Sequence, residues 1–374
     1  MVMTWSATER GAGPEPIRDV PGEGVSPLGS DGTAERAGIP WPPGTASGVG
    51  SLPDLDPVEA ARYVLGEVPD LPFLPELPGR GVGADIIGRS CALLVDLPVD
   101  FQPSGWRLVP RPGLDLRRAR DLLARDLDAF TEAAAGYTGP LKVSAAGPWT
   151  LAGGVELPRG HKALADQGAA RDLAEALAEG LVAHLADLGR RIPGARMLVQ
   201  LDEPSLPAML AGHIRTPSGF SVLPAVEEGP ATERLAGVLS AVTGAASVAA
   251  SGVHCCAPDV PLDLLRRAGA RFVGLDATLL TRAQDDAVGE AVEAGVGLMF
   301  GLVPTDGAGN LSDPRRTVAV AVDLWRRLGF APELLGEVVA VTPTCGLANA
   351  RVGDARAALR HCREAARVLV ESPQ

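Results

Sequence analysis

Short apolar runs recur along the chain from Trp41 onward, each broken by an abrupt cluster of small or polar residues and followed by a helical pattern of apolar positions. The runs are continuous rather than alternating, as expected of parallel strands buried on both faces. Eight run endings stand out: "SGVGSLP" (Gly50, Ser51), "LPFLPEL" (Glu76), "LKVSAAGPWT" (Gly147 to Thr150), "RMLVQLDEP" (Asp202 to Pro204), "ASGVHCC" (His254 to Cys256), "RFVGLDA" (Asp276), "VGLMFGLVPTD" (Pro304 to Asp306) and "EVVAVTPTC" (Thr344, Cys345). Between them the spacing predicts helices over Leu114 to Ala135, Leu164 to Arg191, Asp313 to Leu328 and Val352 to Val370. Asp56-Pro57 supplies an N-cap and a first helical residue for another.

Alternating strands and helices on this scale predict an α/β fold, a (β/α)8 TIM barrel over residues 41–374, with a doubly wound sheet as second choice. Residues 1–40, rich in Gly, Pro, Glu, Asp and Ser, are expected to be a flexible leader. In a barrel all strand C-termini converge on one face. Every unusual residue above sits at such an end, so positions far apart in sequence can share one pocket.

Composition narrows the functional classes. A formal net charge of -12 with scattered arginines argues against a nucleic-acid or acidic-membrane partner. The N-terminus reaches charge and proline before any apolar run forms, which predicts a cytoplasmic protein. The uncharged run Leu235 to Val253 is dominated by small residues and broken by "VTGAAS", so helix, turn and strand are expected there rather than a membrane span. Five cysteines thinly spread over 374 residues suggest reduced thiols, open to metal binding or catalysis.

The stretch "GVHCCAP" concentrates that possibility. Residues i and i+2 of an extended segment share a face, so His254 and Cys256 can both look into the mouth while Cys255 packs behind. With Asp276 and Cys345 from two other strand ends they make a candidate zinc set. A bare buried-cysteine reading of the same stretch stays open at this level, and Cys91, Cys362, His161, His184 and His213 are read as structural or solvent-facing. Two thiolates and a carboxylate would make a net anionic shell, poor at polarising a carbonyl but suited to keeping a bound thiolate nucleophilic. The chemistry predicted is alkyl transfer to sulfur.

"VHCCAPDV", "VGLDATLL", "VQLDEPSL", "GVGSLPDLDP", "AAGPWTL" and above all "VTPTCGLANARVGDARAAL" resemble the catalytic C-terminal barrel of cobalamin-independent methionine synthase, in the family's motif order from Gly48 to Leu369. The resemblance implies a zinc-containing barrel that methylates homocysteine, with His254, Cys256 and Cys345 as zinc ligands and Asp276 in place of a family glutamate. It implies that Gly50 and Ser51 cradle the amino-acid carboxylate, that Asp202 is the catalytic-site carboxylate holding the substrate ammonium, and that Glu76 is a second ammonium partner. Trp149 would wall the methyl-donor side. Where the family places a catalytic histidine this chain reads "GNLSDPRRT", with Ser312 nearest. The short leader is not the family's second barrel, so the methyl donor is either methyltetrahydrofolate or a methylcorrinoid, possibly protein-bound. The alternatives are another zinc-dependent alkyl-thiol transferase with a different small thiol, or a non-catalytic zinc or thiol-binding module.

Overall fold

Six of the eight apolar runs form the strands of one parallel sheet. The computed structural model describes residues 38–371 apart from 54, 55, 306–310 and 312. The leader expectation and Ser312 lie largely or wholly outside these residues. The chain divides at Arg36, and the described residues belong to the unit that follows it. An antiparallel hairpin, β1 (Val99–Gln102) and β2 (Gly105–Leu108), precedes the sheet and was not expected from the pattern. The sheet then runs in sequence order through β3 (Gly139–Ala146), β4 (Ala195–Asp202), β5 (Val248–Cys255), β6 (Phe272–Asp276), β7 (Gly297–Val303) and β8 (Val339–Pro343).

The first two runs make only isolated bridges, so a six-stranded parallel sheet within an α/β fold replaces the expected eight continuous strands. Ala46 bridges to Val341 on β8, and Phe73 bridges to Lys142 on β3. Each bridge carries two backbone hydrogen bonds: Ser47 N to Val341 O and Val341 N to Thr45 O on one edge, Lys142 N to Pro72 O and Leu74 N to Lys142 O on the other. The two segments also bridge each other at Ser51 and Glu76. Prolines at 72 and 75 and Gly48 and Gly50 interrupt the donors and side chains that a longer ladder needs.

The helices follow the expected pattern closely. Leu114–Ala133 buries Leu116, Ala119, Leu123, Leu127 and Phe130, a single face at helical spacing. Asp56 caps Pro57–Glu67 by accepting from Val58 N. The expected helix from Asp313 is split at Val318 into Pro314–Thr317 and Ala319–Leu328, the second closed by Gly329 in the left-handed region. The run at Leu235 to Val253 becomes the end of helix Glu228–Thr243 and the start of β5. Among the described residues no helix is long and apolar enough to cross a membrane.

Two apolar clusters result. The large one lies between sheet and helices. The small one, Trp41, Leu71, Leu198, Ala250, Phe272, Met299 and Ala340, lies on the other face of the sheet, with Trp41 edge-on to Phe272 at 5.8 Å. Leu198, Ala250 and Phe272 start alternate-residue series that continue toward the strand C-termini as Gln200 and Asp202, Gly252 and His254, Gly274 and Asp276. The same strand faces therefore pass from an apolar plug to a polar end.

Candidate active site

In-register pairing brings the polar end together. Asp202 on β4 lies opposite His254 on β5, which lies opposite Gly274 on β6. Both polar residues are buried, and His254 Nδ1 lies 3.0 Å from Asp202 Oδ1. Gly274 gives the ring room, since a Cβ there would stand 3.1 Å from His254 Cδ2. Beyond the strand ends Cys256 and Cys345 meet, with Sγ to Sγ 3.3 Å. Hydrogen bonding between the two sulfurs pulls the Cys345 thiol down and pushes Cys256 up. Cys255 faces the core, fully buried, and desolvation pushes it up to about 12.

On the other flank a buried lysine organises two carboxylates. Lys142 on β3 donates from Nζ to Val49 O at 2.6 Å and to Gln200 Oε1 at 2.7 Å. Gln200 Nε2 donates onward to Asp202 Oδ1 at 2.7 Å and to Val49 O at 3.0 Å. Burial pulls the Lys142 ammonium down to about 8, against the opposing pull of Asp202 and Glu76. Glu76 is buried with Oε1 unpartnered, and desolvation pushes its carboxyl up to about 7, with Arg89 and Lys142 opposing. Arg89 is itself fixed by Asp126 at 2.6 Å. Arg80 reaches the same carboxylate from Nη2 at 2.8 Å.

Gly50 and Ser51 border this flank through backbone contacts. Gly50 O accepts from Glu76 N, and Ser51 O accepts from Leu347 N just after Cys345, so the segment joins both halves of the site. A Cβ on Gly50 would lie 3.5 Å from Ser144 Oγ and 3.6 Å from Glu76 Cδ.

Two more of the expected residues have partners of their own. Asp276 Oδ1 accepts from Thr278 N at 2.9 Å and Thr278 Oγ1 at 2.6 Å, capping the short turn Ala277–Leu279. Trp149 is buried at the start of helix Pro148–Gly154, its Nε1 donating to Ala231 O at 3.0 Å and its ring covered by Arg234. Among the described residues no three His, Cys, Asp or Glu side chains are gathered in an arrangement that holds a metal ion. The four-donor set is thus assembled only as far as its two sulfurs.

Residues 43–368 match the family described as cobalamin-independent synthase, catalytic domain. The chain belongs to that family. A B12-independent methionine synthase from Shewanella sp. W3-18-1, solved in complex with selenomethionine, is similar to it in fold. The TM-score is 0.57 at 12% identity, over 87% of this chain and 98% of that one. A 2,3-dimethylmalate lyase of the PEP mutase/isocitrate lyase superfamily aligns at 12% identity over 88% of this chain and 85% of its own, with a TM-score of only 0.34. No curated protein matches the chain.

Within this cobalamin-independent synthase domain, sequence reasoning passed over Lys142, Gln200 and Glu203. Glu203, beside Asp202, is fully buried and accepts from Trp149 N at 2.8 Å, Thr150 N at 2.7 Å and Thr150 Oγ1 at 2.8 Å. Desolvation outweighs those three bonds and pushes its carboxyl up to about 7. A lysine and a glutamine inside otherwise apolar strand runs were visible signals for the other two. A cleft of about 510 Å³ between helices Gln167–Arg191 and Glu228–Thr243 holds none of these groups.

Proposed function

We propose that this catalytic domain moves a methyl group to the thiol of homocysteine, giving methionine, with zinc held by Cys256, Cys345 and His254. The carrying observation is the meeting of Cys256 and Cys345 across 89 positions of sequence, on the same end of the sheet as the His254–Asp202 pair. The donor chemistry fits the metal. Cys256 and Cys345 meet at 3.3 Å, so both sulfurs could serve one ion. Asp202 holds His254 by Nδ1, which leaves Nε2 as the ligand nitrogen, the carboxylate–histidine arrangement common behind zinc. Asp276, engaged by Thr278, is the weakest member of the set. A bound zinc ion supplies acidity, since a coordinated thiol sheds its proton whereas a free one of pKa about 8.5 mostly keeps it at neutral pH.

The chain's own residues bind and orient the acceptor. Asp202 and Glu76 take the α-ammonium, and Glu76 suits this because its buried Oε1 lacks a donor. Backbone N–H groups of Gly50 and Ser51 take the carboxylate. In this reading residues 41–374 form one (β/α)8 barrel whose first two strands are the bridged segments at Ala46 and Phe73, in the cytoplasm. The methyl donor is methyltetrahydrofolate or a methylcorrinoid.

Metal analysis of the purified protein, followed by homocysteine methylation with each donor in parallel, tests the reading. Protein without zinc would sink it, and zinc with homocysteine binding but no turnover on either donor would favour a binding module instead. Cys345→Ser is expected to lose metal and activity while Cys255→Ser keeps both. Equal behaviour of the two variants would refute the assignment of faces.

A further inference from the structure

The buried ammonium of Lys142 has no role in the chemistry above, yet it touches both ends of the acceptor site. Its stem leaves β3 level with Leu198 and carries the ammonium to the level of Gln200, with Nζ 5.7 Å from the centre of the Phe73 ring. Burying a lysine completely is unfavourable unless its donors find acceptors, and here Val49 O and Gln200 Oε1 take two of the three. We propose that Lys142 is a positioning residue that sets the amino-acid end of the acceptor site, through Val49 on one side and through Gln200 and Asp202 on the other. The proposal rests on the reading that the site takes an amino thiol.

The argument is one of donors and acceptors. An ammonium has only donors, so the side of the Gln200 amide facing it must be the oxygen. The amide N–H2 is then forced toward Asp202 and Val49, where it is found. Removing Lys142 leaves the buried Gln200 oxygen without its donor and loosens the amide that holds Asp202 and Val49. The Asp202 carboxylate is oriented from both sides, by Gln200 Nε2 and His254 Nδ1 on Oδ1. That leaves Oδ2 to receive an ammonium. On the other arm, Lys142 and Gln200 both draw in Val49 O, and the peptide they hold leads directly into Gly50 and Ser51. One side chain therefore fixes where the ammonium and the carboxylate of an amino acid are received.

Acceptor kinetics on zinc-loaded protein, with homocysteine and with 4-mercaptobutyrate, which lacks the ammonium, separate the two arms. Lys142→Met is expected to raise KM for both acceptors, for homocysteine by about 10- to 100-fold, the worth of a hydrogen bond to a charged group. Its zinc content and kcat at saturation should stay near wild type. Gln200→Leu should raise KM for homocysteine more than for 4-mercaptobutyrate, since it loses the contact to Asp202 while Lys142 still holds Val49, and adding it to Lys142→Met should raise the homocysteine KM little further, because the two act in one chain. Wild-type KM in both variants, or a fall in kcat and zinc with KM unchanged, would overturn the proposal. Should Lys142→Met not fold, the acceptor contrast in Gln200→Leu decides. Calorimetric binding of homocysteine without a methyl donor keeps the two ideas apart. A wild type that binds but never methylates refutes the activity, while equal binding by wild type and variants refutes the role of Lys142.

Discussion

Glu76→Gln should stabilise the ligand-free protein at pH 8 while weakening its hold on the acceptor. Glu76 is buried, its Oε1 has no partner, and its carboxyl keeps its proton to about pH 7 instead of 4.5. At about 1.4 kcal/mol per tenfold change, that difference disfavours the folded anion by about 3 kcal/mol. The sign follows from linkage. The folded-state pKa is raised, so the stabilisation is fully present below pH 4.5 and is lost as pH rises to about 7, because the unfolded chain releases the proton first. Glutamine mimics the protonated carboxyl at every pH. The variant and wild type should therefore be equally stable near pH 4.5, and the variant should gain progressively to about 2–3 kcal/mol above pH 7.

Urea unfolding of both proteins at half-unit steps from pH 4.5 to 8 reads this difference, and titrations of groups that do not interact with Glu76 cancel in the subtraction. A difference that is flat across the range, or a variant less stable at pH 8, would refute the claim that Glu76 is a desolvated carboxylate awaiting a cation. Homocysteine should reverse the pattern. Its ammonium pairs with the wild-type carboxylate and has less to pair with in the variant, so saturating ligand should stabilise wild type more.

Three further outcomes follow from contacts around the site. Gly274→Ala places a Cβ against His254 and should lower zinc affinity at least about tenfold, measured by chelator competition, with the circular dichroism spectrum unchanged. Asp126→Asn leaves Arg89 and Arg80 with a neutral partner and should destabilise by about 3 kcal/mol or more in urea unfolding. Trp149→Phe loses one hydrogen bond to Ala231 and should destabilise by about 1 kcal/mol, with the KM of the methyl donor unmoved. A raised donor KM would restore Trp149 to the mouth.

The parts of the fold that local chemistry dictates could be read from the sequence. Asp56-Pro57, the apolar face of Leu114–Ala133 and the continuous runs of β3 to β8 each follow from a cap, a period or a burial rule that acts within a few residues. The first two runs form bridges rather than strands because Pro withholds donors and Gly the side chains that extend a ladder, and their place at the sheet edges is set by β3 and β8, which sequence spacing does not reveal. In the site, the meeting of Cys256 with Cys345 was legible because both end apolar runs. The partners of Asp276 and Trp149 were not, since a cap on Thr278 and an indole N–H to Ala231 are choices of rotamer and partner made only once the loops are placed.

Charge accounting explains why a lysine belongs among these carboxylates. Glu76 and Asp202 face one buried space, and each raises the proton affinity of Glu76 or Lys142. Two carboxylates alone would share a proton and lose one acceptor for an ammonium. Lys142 offsets one negative charge without occupying the space, because its ammonium is spent on Val49 and Gln200 rather than on either carboxylate. An arriving α-ammonium offsets the other. A thiol without an ammonium would leave a buried carboxylate uncompensated and must bring a proton with it, so its binding should weaken as pH rises above about 7 while that of homocysteine should not. Equal pH dependence for homocysteine and 4-mercaptobutyrate in a calorimetric titration from pH 6 to 8.5 would contradict this balance.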